Sequence, residues 1–146
     1  MQAGGLMDGN FCYSDRTYPW AKTPFGLTGA EYVLTFNDDK NKAEKDVTCM
    51  VTISRPTIAF ITVDDRIPKD WNAGGAITSP QAEADYVTAA FAAPGTFVDT
   101  GLNLYVHEKA TTDRPMSVFA AELDAGTYVF GPMWSNVNFY TIGAIK

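Results

Sequence analysis

Within eight residues the chain gathers Asp64, Asp65, Arg66, Pro68, Lys69, Asp70 and Trp71. Carboxylates, a guanidinium, an ammonium and an indole at this spacing suit one chemistry best, the capture of a polar ligand that also has a flat apolar face. An indole stacks on the C–H face of a pyranose while its edge stays wet. Asp, Asn, Arg and Lys bond the hydroxyls, and Arg or Lys adds affinity for carboxylated or sulfated sugars. Trp134, in Gly131-Pro132-Met133-Trp134-Ser135-Asn136, offers a second such group with Asn136 beside it. The candidate ligand-binding set is therefore Trp71 and Trp134 for stacking, with Asp65, Arg66, Lys69 and Asn136 for hydrogen bonds. The third tryptophan, Trp20, lies beside Tyr18, Pro19 and Phe25 and is expected to plug the core.

Catalytic chemistry finds less support. The single histidine, His107, alternates with Asn103 and Tyr105 opposite Leu102, Leu104 and Val106, which places it on the outer face of a strand. No nucleophile elbow, metalloprotease helix, P-loop or dinucleotide fingerprint occurs. Glycoside hydrolysis needs two carboxyl groups facing each other about 5–10 Å apart. Asp64 and Asp65, adjacent at a strand end, should instead point in opposite directions, one facing the loops and the other pairing with Arg66 or capping a turn. No catalytic residue is assigned. No cofactor is implied either, although Asp38, Asp39, Asp64, Asp65 and Asp99 would suit a structural calcium ion.

The residues Ile58–Val63 that deliver this cluster form a β-branched and aromatic run broken only by Ala59, the pattern of a strand buried on both faces. Similar short runs separated by Gly, Pro, Asn and Asp predict strands at Asn10–Ser14, Glu31–Phe36, Val47–Ser54, Ile58–Asp64, Leu102–Glu108, Met116–Leu123, Thr127–Gly131 and Asn138–Ile145, with a short one near Thr96–Asp99. Ser54–Thr57 and Asp124–Gly126 read as hairpin turns. The fold class that results is all-β, a two-sheet antiparallel sandwich of jelly-roll type. Ile77–Gly95 departs from it. A Thr78 or Ser79 cap, Pro80 in the first turn and Tyr86, Val87, Ala90 and Phe91 on one face predict a short helix inside a long loop. Strand alternation leaves open whether the loops carrying Trp71 and Trp134 share an end.

The 146 residues suffice for one domain with its own core, and 46% hydrophobic content excludes disorder. Residues 1–8 read as a linker without the features of a signal peptide, and 9–146 as the domain. No apolar run approaches the roughly 18 residues of a membrane span. A net charge of −6 argues against nucleic acid as a partner. The two cysteines, Cys12 and Cys49, could pair in an oxidising compartment or remain buried thiols. Asp-Arg recurs at Asp15-Arg16, Asp65-Arg66 and Asp113-Arg114, and each acid could hold its neighbouring Arg.

Several short words strung along the chain resemble one kind of bacterial module. They are Tyr13-Ser-Asp15-Arg16-Thr-Tyr18-x-Trp20, Leu27-x-Gly29-Ala30-Glu31-Tyr32-Val33-x-Thr35 and Asp38-Asp39-Lys40. Further on come Val63-Asp64-Asp65-Arg66-Ile-Pro68-x-x-Trp71, Phe97-x-Asp99-Thr100-Gly101, Tyr105-x-x-x-Lys109, Ala125-Gly126-Thr127 and Phe139-Tyr140. Together they look like the non-catalytic β-sandwich modules appended to secreted polysaccharide lyases and glycoside hydrolases. The resemblance implies a carbohydrate-binding module, secreted as part of a larger enzyme, with polysaccharide and the parent catalytic domain as its partners. The long excursion between Trp71 and Phe97 departs from that pattern. The competing expectation is a structural, adhesion or protein-docking sandwich with no sugar site.

Overall fold

The computed structural model describes residues 5–41, 49–66, 97–130 and 140–145. Within them the chain forms eight strands: β1 (Trp20–Ala21), β2 (Glu31–Tyr32), β3 (Cys49–Ile53), β4 (Thr57–Asp64), β5 (Val98–Lys109), β6 (Thr112–Leu123), β7 (Gly126–Phe130) and β8 (Thr141–Ile145). They make the expected antiparallel sandwich from two unequal sheets, one of six strands in the order β1-β5-β6-β4-β8-β2 and one pairing β3 with β7. The helix expected within Ile77–Gly95 lies outside the described residues.

β4 lies between β6 and β8, and every residue from Ala59 to Asp64 is buried. Its alternation builds a core on each side of the large sheet. Ala59 and Ile142 face the space closed by Val51, Ile53 and Phe130 of the small sheet. On the other side Phe60 meets Gly143, which pairs with Tyr32, and the Tyr32 ring packs edge-on against Trp20. Leu6, Cys12, Tyr13 and Leu27 complete this core. Tyr32 donates its hydroxyl to the Phe11 carbonyl at 2.7 Å, and burial pushes its ionisation up to about 12.

The two hairpins expected at Ser54–Thr57 and Asp124–Gly126 are not hairpins. Each turn carries the chain from one sheet to the other, since β3 pairs with β7 while β4 and β6 pair together. β4 needs both faces covered and already has β6 and β8 at its edges, so β3 crosses to the facing sheet. The hairpin present joins β5 to β6 through Ala110-Thr111. That turn has none of the Asn-Gly signals that mark such loops in sequence.

Other boundaries shift too. The strand expected at Asn10–Ser14 reduces to isolated bridges at Phe11 and Tyr13. The short strand near Asp99 is the start of β5, interrupted by a bulge between Asp99 and Asn103. Gly101 supplies a positive φ of 70° there, and its N–H donates to Asp99 Oδ1 at 2.8 Å. Gly5 and Leu6, ahead of the expected boundary at residue 9, pack against the domain. Leu6 is fully buried and its N–H donates to the Ala30 carbonyl. Cys12 and Cys49 are free thiols, the first buried and the second half-buried with the core-facing residues of β3.

Candidate functional site

Where β4 ends, Asp64 is fully buried and Asp65 exposed, the opposed orientation that alternation requires. A buried carboxylate needs donors, and Arg66 supplies three. Its backbone N–H and Nε each donate to Asp64 Oδ1 at 2.9 Å, and Nη2 donates to Oδ2 at 2.6 Å. Nη2 also reaches Glu108 Oε1 at 2.7 Å, and Glu108 Oε2 accepts from Arg114 Nε at 3.0 Å. Acid and base thus alternate across β4, β5 and β6, and the hydrogen bond to Asp64 holds the Arg66 guanidinium even more firmly protonated than usual. Burial, with Asp64 and Glu108 nearby, pushes the Tyr13 phenol well above its ordinary value. Asp65 turns the other way and accepts from the Ser117 N–H at 2.9 Å and hydroxyl at 2.7 Å.

Of the sequence-predicted set, Asp65 and Arg66 are therefore placed just beyond the end of β4, engaged with the protein. Trp71, Lys69, Trp134 and Asn136 lie outside the described residues. The described chain nevertheless enters both of their segments, 67–96 and 131–139, from one end of the sandwich. Asp64 pairs with Met116 near the β5–β6 turn, and Thr62 pairs with Thr141 at the start of β8. The Asp124-Ala125 crossing lies at the other end, beside the Thr57–Leu123 pair, so β7 runs back to the Asp64 end before the chain enters 131–139.

Glu108 and Arg114 were missed by the sequence reading, although a signal existed. Glu108 continues the core-facing phase of Leu104 and Val106, and an acid in that phase demands a cation. In the Asp-Arg echo only Asp15 holds its own neighbour, at 3.2 Å, while Arg66 and Arg114 are held by Asp64 and Glu108.

His107 sits half-exposed on the outer face of β5, as alternation predicts. Its Nδ1 lies 2.7 Å from Asp113 Oδ1, and Lys22 Nζ lies 2.8 Å from Asp113 Oδ2 and 4.7 Å from the centre of the Tyr105 ring. Lys22 first, then His107, hold the Asp113 carboxyl below its usual value. A carboxyl lowered in this way stabilises the fold above its unfolded value of about 4, and that contribution fades as pH falls through the lower folded value. Asp113→Asn should therefore melt below the wild type at pH 7 and converge with it in acid, a comparison that thermal unfolding across pH would make. A gap unchanged at pH 2 would show that the charge is not its source.

Among the described residues no group of three or more His, Cys, Asp or Glu could hold a metal ion. Four of the acids that would suit calcium also have protein partners. Asp38 meets Arg16, Asp64 meets Arg66, Asp65 meets Ser117 and Asp99 caps Gly101. A cleft of about 240 Å³ opens between the sheets near the Ile53–Thr57 crossing, lined by Tyr32, Val51, Phe130 and Ile142 with Arg55 among its polar residues. It is remote from the Arg66 network.

These strands and charges define a β-sandwich with ion pairs bracing one end. No protein-family model matches the chain, and neither does the sequence of any curated protein. Among solved structures it is similar to a beta-glucuronidase from glycoside hydrolase family 2, with a TM-score of 0.68 and 20% identity. The match covers 98% of this chain and 13% of that enzyme, so the chain corresponds in size and fold to one small part of it.

Proposed function

We propose that this chain is a non-catalytic module that holds a polysaccharide for a secreted carbohydrate-active enzyme. The observation that carries the reading is that nearly the whole chain takes the fold of a 13% portion of an enzyme named for its action on a sugar. The residue types near the braced end support it further. Trp71 and Trp134 provide stacking faces, Lys69 and Asn136 provide hydrogen bonds, and Asp65 and Arg66 brace the end of β4. Affinity per site is modest, because a shallow site must also order a flexible glycan.

The test is binding of the purified chain to pectins, alginates, carrageenans and glucans. Trp71→Ala and Trp134→Ala are each expected to weaken the best ligand by about tenfold or more. A wild type that binds none of these polymers sinks the reading, whereas full affinity in both variants overturns only the choice of site. Docking to a partner domain is the second reading, and Phe25 favours it. That ring is 95% exposed on a tight turn, Phe25–Leu27, pinned by hydrogen bonds from Leu27 and Thr28.

A further inference from the structure

The charged quartet at the end of β4 is balanced in charge but not in hydrogen bonds. Arg114 spends only Nε, on Glu108 Oε2, and its side chain is 38% exposed. Among the described residues neither Nη1 nor Nη2 of Arg114 has an acceptor, and Nη1 of Arg66 has none either. The two guanidiniums grip the two oxygens of one carboxylate, so Glu108 fixes them side by side. Neutralising Glu108 does not require this arrangement, because a lysine would supply the same charge. A guanidinium anchored through Nε keeps its outer Nη edge for a second planar acceptor, and a carboxylate matches that edge with two parallel bonds. The anchoring bond has already ordered the side chain, so capture of a ligand costs little further entropy.

We infer that Arg114, flanked by Arg66, is a recognition point for the carboxylate of an acidic sugar, and that the ligand of this module is a uronate-containing polysaccharide. The inference rests on the glycan-binding reading and narrows it. It also runs against the long-range field, since a chain of net charge −6 repels polyanions. Any preference for an acidic polymer must therefore arise at short range, from N–H groups such as these.

The experiment compares a polyuronate, the same polymer with its carboxyl groups reduced to alcohols, and a sulfated galactan, against wild type, Arg114→Gln and Arg114→Lys. Wild type is expected to favour the polyuronate. Arg114→Gln should weaken that binding by about 10- to 100-fold, the worth of a charge-assisted hydrogen bond, and leave the reduced polymer unaffected. Arg114→Lys keeps the ion pair with Glu108 and should recover only part of the loss. It carries the same comparison if Arg114→Gln does not fold. Equal affinity for the polyuronate and its reduced form, or unchanged binding in both variants, overturns the inference while leaving a glycan-binding module intact. Preference for the sulfated galactan overturns the choice of carboxylate. Binding to no glycan at all overturns both proposals.

Discussion

Arg66→Met is expected to lower stability by about 3–5 kcal/mol, and the midpoint of thermal unfolding by roughly 10 °C. The reason is the asymmetry of a buried ion pair. Asp64 has no exposed surface, and its two oxygens receive the Arg66 backbone N–H, Nε and Nη2. Taking away the guanidinium removes two of these donors and their charge, while the carboxylate stays where water does not reach. Methionine fills similar space, so the loss reports on charge and hydrogen bonding more than on volume. Arg66→Lys should fall between the two, because one ammonium cannot reproduce the fork. Calorimetric unfolding of the three proteins checks this. A loss below about 1 kcal/mol in Arg66→Met would mean that the quartet contributes no more than an exposed surface pair.

Phe60→Ala should cost a comparable 3–5 kcal/mol by opening a cavity at the centre of the large sheet. Phe60 is also one of two reasons that Gly143 is glycine. A Cβ at position 143 would collide with the tip of the Phe60 ring and lie 2.6 Å from the Glu31 carbonyl oxygen. Gly143→Ala alone is expected to cost about 1–3 kcal/mol through overpacking. In the Phe60→Ala background the ring clash disappears but the backbone contact remains. The two changes should therefore be less than additive, by about 1 kcal/mol in a double-mutant cycle measured by denaturant unfolding. Strict additivity would show that the sheet shifts to admit the methyl group without involving Phe60.

Much of this architecture was legible in the residues because β-alternation is a strong code. The continuous apolar run of β4 announced a strand with two covered faces. The parity of Leu104, Val106 and His107 placed the histidine outside, and the adjacency of Asp64 and Asp65 separated their roles. What alternation does not encode is the identity of a strand's neighbour. Ser54–Thr57 and Asp124–Gly126 carry genuine turn chemistry, yet a short turn serves equally well between paired strands and between facing sheets. The site was only half legible for a related reason. Arg66 stood out beside Asp64, Lys69 and Trp71, whereas Glu108 and Arg114 join it only through cross-strand register, 42 and 6 residues apart in their respective bonds.

The outermost members of the large sheet, β1 and β2, are each two residues long. Immediately after β1, Lys22 adopts a positive φ of 54°, which turns the backbone out of the extended path. Strands this short offer an added strand from another copy little ladder of their own to pair with, and a lysine stands at one of them. Where copies are held close together for long periods, this amounts to insulation of these two strands against fibre formation. Lengthening β1 by straightening the chain at Lys22 would remove that insulation and leave the core unchanged.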